Sequence, residues 1–518
     1  MVYRPKRKFS LPLCPRHSIY GDLPAKSLGK FELQMRQTGQ SFIRLQTLEH
    51  AKINVLDDHI IGLLVLDVPP NGISPRNVDL ISILLTSKRF RAPALHALHK
   101  NVTIPHSTTF RKFLARIIEG QELGKIVRRL DFSHFNPITT FTTAAERTLT
   151  RNLTPETLFQ CLELTPSLCE FLGQEHVDSE IDLNVLRKLF LDLPRLRAAD
   201  FTGCSSGSFK DAMEGISTFD WPDSLGISRL SFHKCINISS AALKLLLPKL
   251  SHLTHLDVAG TRITDEALQS IPQTARVTHL NLAECASLSA EAVINFCANH
   301  DAVKSSLTFL SVASNVRCHQ LLGIEDVTRL LPHLPSTLRS LNLKGSKMIS
   351  SHIHLLRPLT KHLEELALGR GLDLTDVDQL FVPDLAPGNS QAQLDWVPHS
   401  LRYIDLSDYT AAELDLISLL SSSISIMGKC SAPLEAIEVM DQLGSRLSPV
   451  VQRLGWTVTA FGSRSWLIRS RSPKGNEDCE SGLRSWKMGT SFWGMRKIPL
   501  ARAEVGGMYG SYMFHRKL

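Results

Sequence analysis

The sequence predicts an α/β fold of the solenoid kind, with strand and helix alternating along a repeated unit. Three observations predict it. A beat of three apolar residues, the second three places and the third five places after the first, recurs nine times between Leu196 and Met440. Successive copies start 24 to 38 residues apart, room for one short strand, one helix and their turns. Between copies the apolar spacing turns helical, as in Ile263, Ala267, Leu268 and Ile271.

The clearest copies are Leu253-Leu256-Val258, Val277-Leu280-Leu282, Leu307-Leu310-Val312, Leu338-Leu341-Leu343 and Leu363-Leu366-Leu368. Leu401-Ile404-Leu406 and Leu434-Ile437-Val439 follow more loosely, and Leu196-Ala199-Phe201 and Ile227-Leu230-Phe232 precede them. The last two residues of each beat are two apart, so on a strand they share a face. One unit cannot bury that ridge alone, whereas stacked units can. At roughly 1.5–3 kcal/mol per buried aliphatic side chain, stacking is strongly favoured. Thr264 is placed to cap the following helix, with Asp265 and Glu266 in its first turn. The competing architecture is an open sheet of unrelated βα units, and nine copies of one pattern argue against it. The beat resembles the leucine-rich repeat. Cys204, Cys235 and Cys285 at the ninth position resemble its cysteine-containing type. That resemblance implies a horseshoe solenoid.

The length of 518 residues admits two or three domains, or one domain and an array. The net charge of +8 is uneven. Residues 1–44 hold nine Lys/Arg against two Asp/Glu, residues 464–518 hold eleven against four, and the middle carries −6. A basic chain suggests nucleic acid, but an acidic array between basic ends makes nucleic acid an unlikely partner. The ten cysteines form no CxxC pair, which suggests a reducing compartment. The apolar run from Ile60 to Leu66 stops at Asp67, too short to span a membrane. The opening MVYRPKRKF lacks the apolar core of a secretory signal. The expectation is an intracellular protein, cytoplasmic or nuclear, with a mitochondrial location left open.

In chain order, residues 1–50 read as a basic, disordered tail. Residues 51–104 carry three helical patterns: Leu56, Ile60, Leu63 and Leu64; then Ser74-Pro75 leading into Val78, Ile81, Leu84 and Leu85; then Phe90, Leu95 and Leu98. The run LDDHIIGLLVLDVPP followed by SPRNVDLISILLTSKRFRAPALHALHKNVTI resembles an F-box, a small three-helix domain. Its first half is degenerate, with Leu56-Asp57 where Leu-Pro is usual. The resemblance implies docking on the Skp-type adaptor of an SCF ubiquitin ligase through Leu56, Ile60, Val68, Leu80, Leu84, Phe90 and Leu95. Residues 105–195 read as linker helices and a first irregular repeat. Phe110, Phe113, Leu114 and Ile117 form one stripe, Val127–Asn136 an early strand, Pro137–Thr150 an insertion, and Leu158–Leu172 and Val185–Leu193 further helices. Repeats fill 196–445. Residues 446–518 read as a cap, with strands at Trp456–Phe461 and Trp466–Arg469, and a basic, aromatic tail.

No catalytic constellation is present: there is no GxxxxGK[ST], GxSxG or HExxH. His255 and His279 occupy equivalent positions in adjacent repeats, but two imidazoles make a poor metal site, so no metal or cofactor is expected. Side chains alternating with the ridge would line the concave face. The candidate partner-binding residues there are Arg229, His233, His255, Asp257, His279, Asn281, Phe309, Asn342, Lys344, Glu365, Tyr403 and Asp405. Their mixed character suits a protein surface. The expected function is that of a non-catalytic, monomeric substrate receptor of an SCF-type ligase. The alternative is a repeat scaffold without a ligase link, attached to RNA or an organelle through its basic ends.

Overall fold

A computed structural model describes residues 61, 73–133, 135, 153–314, 319–382, 399–409, 414, 419, 426–461, 464–469, 494–497 and 512–515. The chain divides into two compact units, Met1–Leu63 and Leu64–Leu518, and every described residue except Ile61 lies in the second. Leu56, Ile60 and Val68, the tail 1–50, the insertion 137–150 and the aromatic run Trp486–Trp493 lie outside the described residues.

Helices α1 (Ile73–Thr86) and α2 (Lys88–Lys100) come first. The Ser87 hydroxyl separates them by accepting the Arg89 N–H at 3.1 Å, an N-cap that ends one helix and starts the next. Ser74-Pro75, read as leading into this helix, falls in its first turn, since α1 begins at Ile73.

A sheet follows. Its parallel strands are β1 (Asn101–Thr103), β2 (Arg129–Asp131), β3 (Glu170–Leu172), β4 (Ala198–Asp200), β5 (Arg229–Ser231) and β6 (His255–Asp257). They continue as β7 (His279–Asn281), β8 (Phe309–Ser311), β9 (Ser340–Asn342), β10 (Glu365–Ala367), β11 (Tyr403–Asp405) and β12 (Ala436–Met440). Each pairs with the next in chain order and in the same register, so the middle beat residues align, Leu256 with Leu280 and Leu341 with Leu366. All nine predicted beats fall on β4–β12. The sheet starts earlier than the beats do, at Asn101. The spacing from Leu158 to Leu172 predicts one helix, but the structure ends that helix at Leu164 and places β3 after it. Pro166 is the reason, since the residue before a proline is driven out of the helical region.

The turn after each strand explains the rest of the repeat. The eighth position is left-handed in Gly203, Lys234, Gly260, Glu284 and Gly345. Its N–H donates to the seventh-position carbonyl of the next repeat: Gly203 to His233, Lys234 to Ala259, Gly260 to Ala283 and Glu284 to Ala313, each at 2.7 Å. Two of the ninth-position cysteines bond the turn backbone. The Cys235 thiol donates to the Phe201 carbonyl at 3.0 Å and the Cys285 thiol to that of Val258 at 3.1 Å, each in the preceding repeat. Burial pushes the Cys285 thiol up to about 12, so it serves as a neutral donor. One expected cap differs. Thr264 stands at the N-cap of the helix Asp265–Gln269 but makes no side-chain cap bond; its hydroxyl bonds the Glu266 carboxylate instead, which lowers that group's pKa.

Beat and helix side chains form one continuous core. The early repeats fill the core with aromatic rings, Phe132, Phe201 and Phe232 at the third beat position and Phe171 at the second, which follow one another as Phe132, Phe171, Phe201 and Phe232 at centroid distances of 6.1, 6.2 and 5.5 Å. Later repeats use Val258, Leu282, Val312 and Leu343, all fully buried.

The parallel series ends in a reversal. After the helix Asp441–Val451, β13 (Trp456–Phe461) and β14 (Arg464–Arg469) form a hairpin, and β14 pairs antiparallel with β12. Trp456 and Trp466 are fully buried, and the Arg469 guanidinium lies 4.4 Å from the Trp456 ring centre. This closes the ridge at its C-terminal end, where bare leucines would invite aggregation. Strands β15 (Gly494–Lys497) and β16 (Tyr512–His515) pair in a separate two-stranded sheet. Among the described residues no helix is long and apolar enough to cross a membrane.

Candidate functional site

Two surfaces carry the residues singled out by the sequence. The first is α1. Leu80 is fully buried, while Leu84, Phe90 and Leu95 are half-buried. As a direct partner contact Leu80 is therefore a correction: it belongs to the packing of α1, and a partner could not reach it. The opposite stripe is open instead. Val78, Ile81 and Leu85 are 61, 47 and 83% exposed. Positions i, i+3 and i+7 lie on one helix face, so the three form one apolar line. The signal was in the sequence, which gives α1 two apolar stripes where a surface helix needs only one.

The second surface is the outward face of the sheet, opposite the core. Most residues expected to meet a partner there are buried: His233, His255, Asp257, Phe309, Glu365, Tyr403 and Asp405. Arg229, His279, Asn281, Asn342 and Lys344 are half-buried. Alternation places side chains on that face, but it does not expose them. Neighbouring strands lie about 4.8 Å apart, so side chains in register pack on each other.

Much of this face also holds the fold. Asp131, Asp200, Asp257, Asn281, Asn342 and Asp405 each accept, through one side-chain oxygen, the backbone N–H two residues on, at 2.9–3.2 Å. The fifth repeat position is thus a built-in cap for the strand exit. For Asp257, Asn281, Asn342 and Asp405, one oxygen is committed to that role.

Between β3 and β6 a polar chain crosses the strands. The Gln174 amide donates to Asp200 at 3.2 Å, the Thr202 hydroxyl bonds both Asp200 and the Ser231 hydroxyl, and His233 Nδ1–H donates to the Asp257 carboxylate at 3.1 Å. Next to it the His255 and His279 rings stack at 4.1 Å and 8°, and Phe309 continues the stack 5.9 Å from His279. The Thr254 hydroxyl donates to Ser228 O at 2.8 Å, so it accepts from His255 Nδ1–H at 2.9 Å. This fixes the tautomer and leaves Nε2 as a bare acceptor. Burial, then the nearby His279 and Arg229, lower the His255 pKa to about 3, which keeps the ring neutral. The Nε2 atoms of His233 and His255 are buried without a hydrogen-bond partner.

From β8 onward the face is different. Phe309, Ala367, Tyr403, Ala436 and Trp466 form a small apolar cluster of their own. The Tyr403 hydroxyl and the Trp466 indole N–H both donate to the buried Glu438. Lys344 reaches over Gly369 of the intervening repeat to Asp405 at 3.3 Å and Ser407 at 2.6 Å. Gly369 has to be glycine, since a Cβ there would lie 2.3 Å from Ser346 O.

By charge the outward face is acidic. Its strand and seventh positions from β2 to β12 carry Asp131, Glu170, Asp200, Asp257, Glu365, Asp405 and Glu438 against Arg129, Arg229 and Lys344. Among the described residues no group of three or more His, Cys, Asp or Glu is placed to hold a metal ion. The stacked geometry of His255 and His279 agrees with this, because each ring spends Nδ1 on its preceding threonine.

The family model described as Leucine Rich repeat matches residues 249–271, which span β6 and its helix. With the parallel register of β1–β12, that match makes the fold a leucine-rich-repeat solenoid. The chain is also related to an F-box protein: YLR352W of Saccharomyces cerevisiae is 28% identical over 229 residues. That match takes in 40% of this chain and 28% of the relative, so the chain spans less than a third of that protein. Among solved structures, that of the Rad7 and Elc1 complex in yeast has a TM-score of 0.34 and 15% identity, covering 78% of this chain and 100% of that one. The leucine-rich repeat-containing protein LegL7 from Legionella pneumophila has a TM-score of 0.32 and 16% identity, covering 57% of this chain and 92% of that one.

Proposed function

We propose that this leucine-rich-repeat protein is a non-catalytic substrate receptor of an SCF-type ubiquitin ligase. The helices before the repeats hold the Skp-type adaptor, and the repeats hold a protein substrate. The observation that carries the reading is the open apolar line Val78, Ile81 and Leu85 on α1, separated from the first strand only by α2. An exposed apolar stripe of this kind is an anchor for a partner's groove. Relatedness to an F-box protein supports the same reading. The mechanism is proximity: two binding surfaces on one chain raise the local concentration of substrate at the ligase.

The test is a pull-down of the full chain with purified Skp adaptor, comparing the wild type with a double variant, Ile81→Glu and Leu85→Glu. Both side chains are exposed, so the variant is expected to fold and to lose most adaptor binding. Binding unchanged by that variant, or absent from the wild type, leaves the scaffold reading in its place.

A further inference from the structure

We infer that the rim at the N-terminal ends of β1–β4 is a docking site for an acidic segment of a protein partner. The inference goes beyond the adaptor reading, which rests on the apolar line of α1.

The residue just before each strand holds the same place in every repeat, and the main chain links these places into a row. The Arg128 N–H donates to Lys100 O at 2.8 Å, that of Cys169 to Arg128 O at 2.7 Å and that of Arg197 to Cys169 O at 2.7 Å. Neighbouring strands lie about 4.8 Å apart, so the first four places of the row bring three cations close together. Further on, the row holds Ser228, Thr254, Thr278 and Thr308. Near its far end Arg402 is paired with Glu435 of the next repeat. At its start no carboxylate does the same: among the described residues Lys100, Arg128 and Arg197 make no ion pair, and neither does Arg195 beside them. Lys100, Arg195 and Arg197 are exposed, and Arg128 is half-buried.

The arginines are held in place without being neutralised. Arg128 Nη1–H donates to Lys125 O at 3.1 Å and to Ser167 O at 3.0 Å. Arg197 Nη1–H donates to Gly226 O at 3.0 Å and to Pro194 O at 3.3 Å. Arg195 turns to the same serine as Arg128, with its Nη1 3.5 Å from Ser167 Oγ. All these acceptors are neutral oxygens, so the positive charge remains. Each guanidinium is tied through Nη1, which leaves Nη2 and Nε to donate elsewhere. A side chain already fixed loses less rotamer freedom when a ligand arrives. Carboxylates at this end of the molecule have cations of their own: Glu119 faces Arg116, Glu122 faces Lys125, Glu170 faces Arg129 and Asp192 faces Lys188.

A row of fixed, uncompensated donors calls for a ligand with spaced anionic acceptors. Glutamate and aspartate side chains supply them, and a guanidinium fork takes a carboxylate with two parallel hydrogen bonds. A single-stranded nucleic acid is the weaker candidate. Such strands are held by bases stacking on open aromatic rings beside the cations. Among the described residues from 88 to 229, no aromatic side chain is exposed.

The experiment uses the full chain and fluorescein-labelled Gly/Ser peptides of equal length, bearing glutamate, glutamine or arginine at the same positions. An oligothymidine of the same charge as the glutamate peptide is the fourth probe. Binding is read by fluorescence anisotropy at neutral pH. The glutamate peptide is expected to bind about tenfold or more tightly than the glutamine peptide, the arginine peptide not to bind, and added salt to weaken the glutamate complex. The basic ends of the chain also attract anions, so two variants of equal net charge locate the site. Lys100→Gln with Arg195→Gln removes two exposed cations of the rim. Lys210→Gln with Lys244→Gln removes two exposed cations from the helices Gly207–Gly215 and Ser240–Leu246. The rim variant is expected to weaken the glutamate peptide about fivefold or more, with circular dichroism unchanged, and the other variant to bind as the wild type does. Equal binding of the glutamate and glutamine peptides overturns the inference, as does an equal loss in the two variants. Tighter binding of the oligothymidine than of the glutamate peptide, lost in the rim variant, overturns it in favour of a phosphate ligand.

Discussion

The outward face of β3–β7 and that of β8–β14 rest on the same kind of backbone and carry opposite chemistry. The first is a chain of hydrogen bonds from Gln174 through Asp200, Thr202 and Ser231, ending in His233, Asp257 and a stacked histidine pair. The second is an apolar cluster around Tyr403 and Trp466, with Glu438 bonded at its centre. Both sit over one uninterrupted core. The difference shows that the leucine ridge decides the fold while the outward positions are filled in two ways, a polar row and an apolar row, each of which adds to stability. It also shows that burial on this face comes from side chains packing across strands, which apolar and polar rows achieve by different means.

The sharpest way to break the comparison is at its apolar end. Trp466→Ala removes a fully buried indole and leaves Glu438 short of a donor. A loss of about 3–5 kcal/mol in guanidinium unfolding is expected, with increased aggregation as the hairpin over β12 loosens. A loss below about 1 kcal/mol would mean that the cluster is not part of the cooperative unit.

The polar end responds to acid. His255 has a folded pKa of about 3 against an ordinary value of 6.5. The unfolded chain therefore takes up a proton that the folded chain refuses, and stability falls as pH drops from 6.5 toward 3. Each unit of difference is worth about 1.4 kcal/mol, so His255 contributes a destabilisation on the order of 5 kcal/mol across that window. Thermal unfolding of His255→Phe should show a shallower acid limb than the wild type. His399, lowered to about 4 by burial, should leave part of the limb in place.

Within the polar chain, Thr202→Val deletes the hydroxyl that bridges Asp200 and Ser231. A cost of about 1–3 kcal/mol is expected in chemical denaturation, because buried acceptors lose a donor. The smallest effect belongs to the turn common to both halves. Lys234 adopts φ 57°, the conformation that Gly260 and Gly345 occupy without strain. Lys234→Gly should raise the unfolding midpoint, by about 1 kcal/mol or less after the added chain entropy of glycine.

The strands were the most legible part of the chain. All nine beats from Leu196 to Val439 became β4–β12, because a residue repeated at the same place in every unit has to meet its own equivalent in the next. β3 escaped notice because Phe171 and Leu172 continue the helical spacing of the helix before them, and only Pro166 marks the break. The outward residues also have a structural role that the sequence did not show. Asp257, Asn281, Asn342 and Asp405 look like free polar groups in a sequence, yet each caps its own strand exit. On α1 the sequence shows Leu80 and Leu84 beside Val78, Ile81 and Leu85 without saying which stripe faces inward, and burial assigned the inner one to Leu80.

By itself the sequence determined the period, the ridge and the cysteine positions, since each rests on local geometry that recurs from repeat to repeat. The tertiary structure alone decided what happens between repeats. It stacked His255 on His279, brought Thr202 to Ser231 and carried Lys344 over Gly369 to Asp405. Those contacts join residues 24 to 61 places apart, through the register of neighbouring strands. No local preference encodes that register; it follows from burying one continuous ridge.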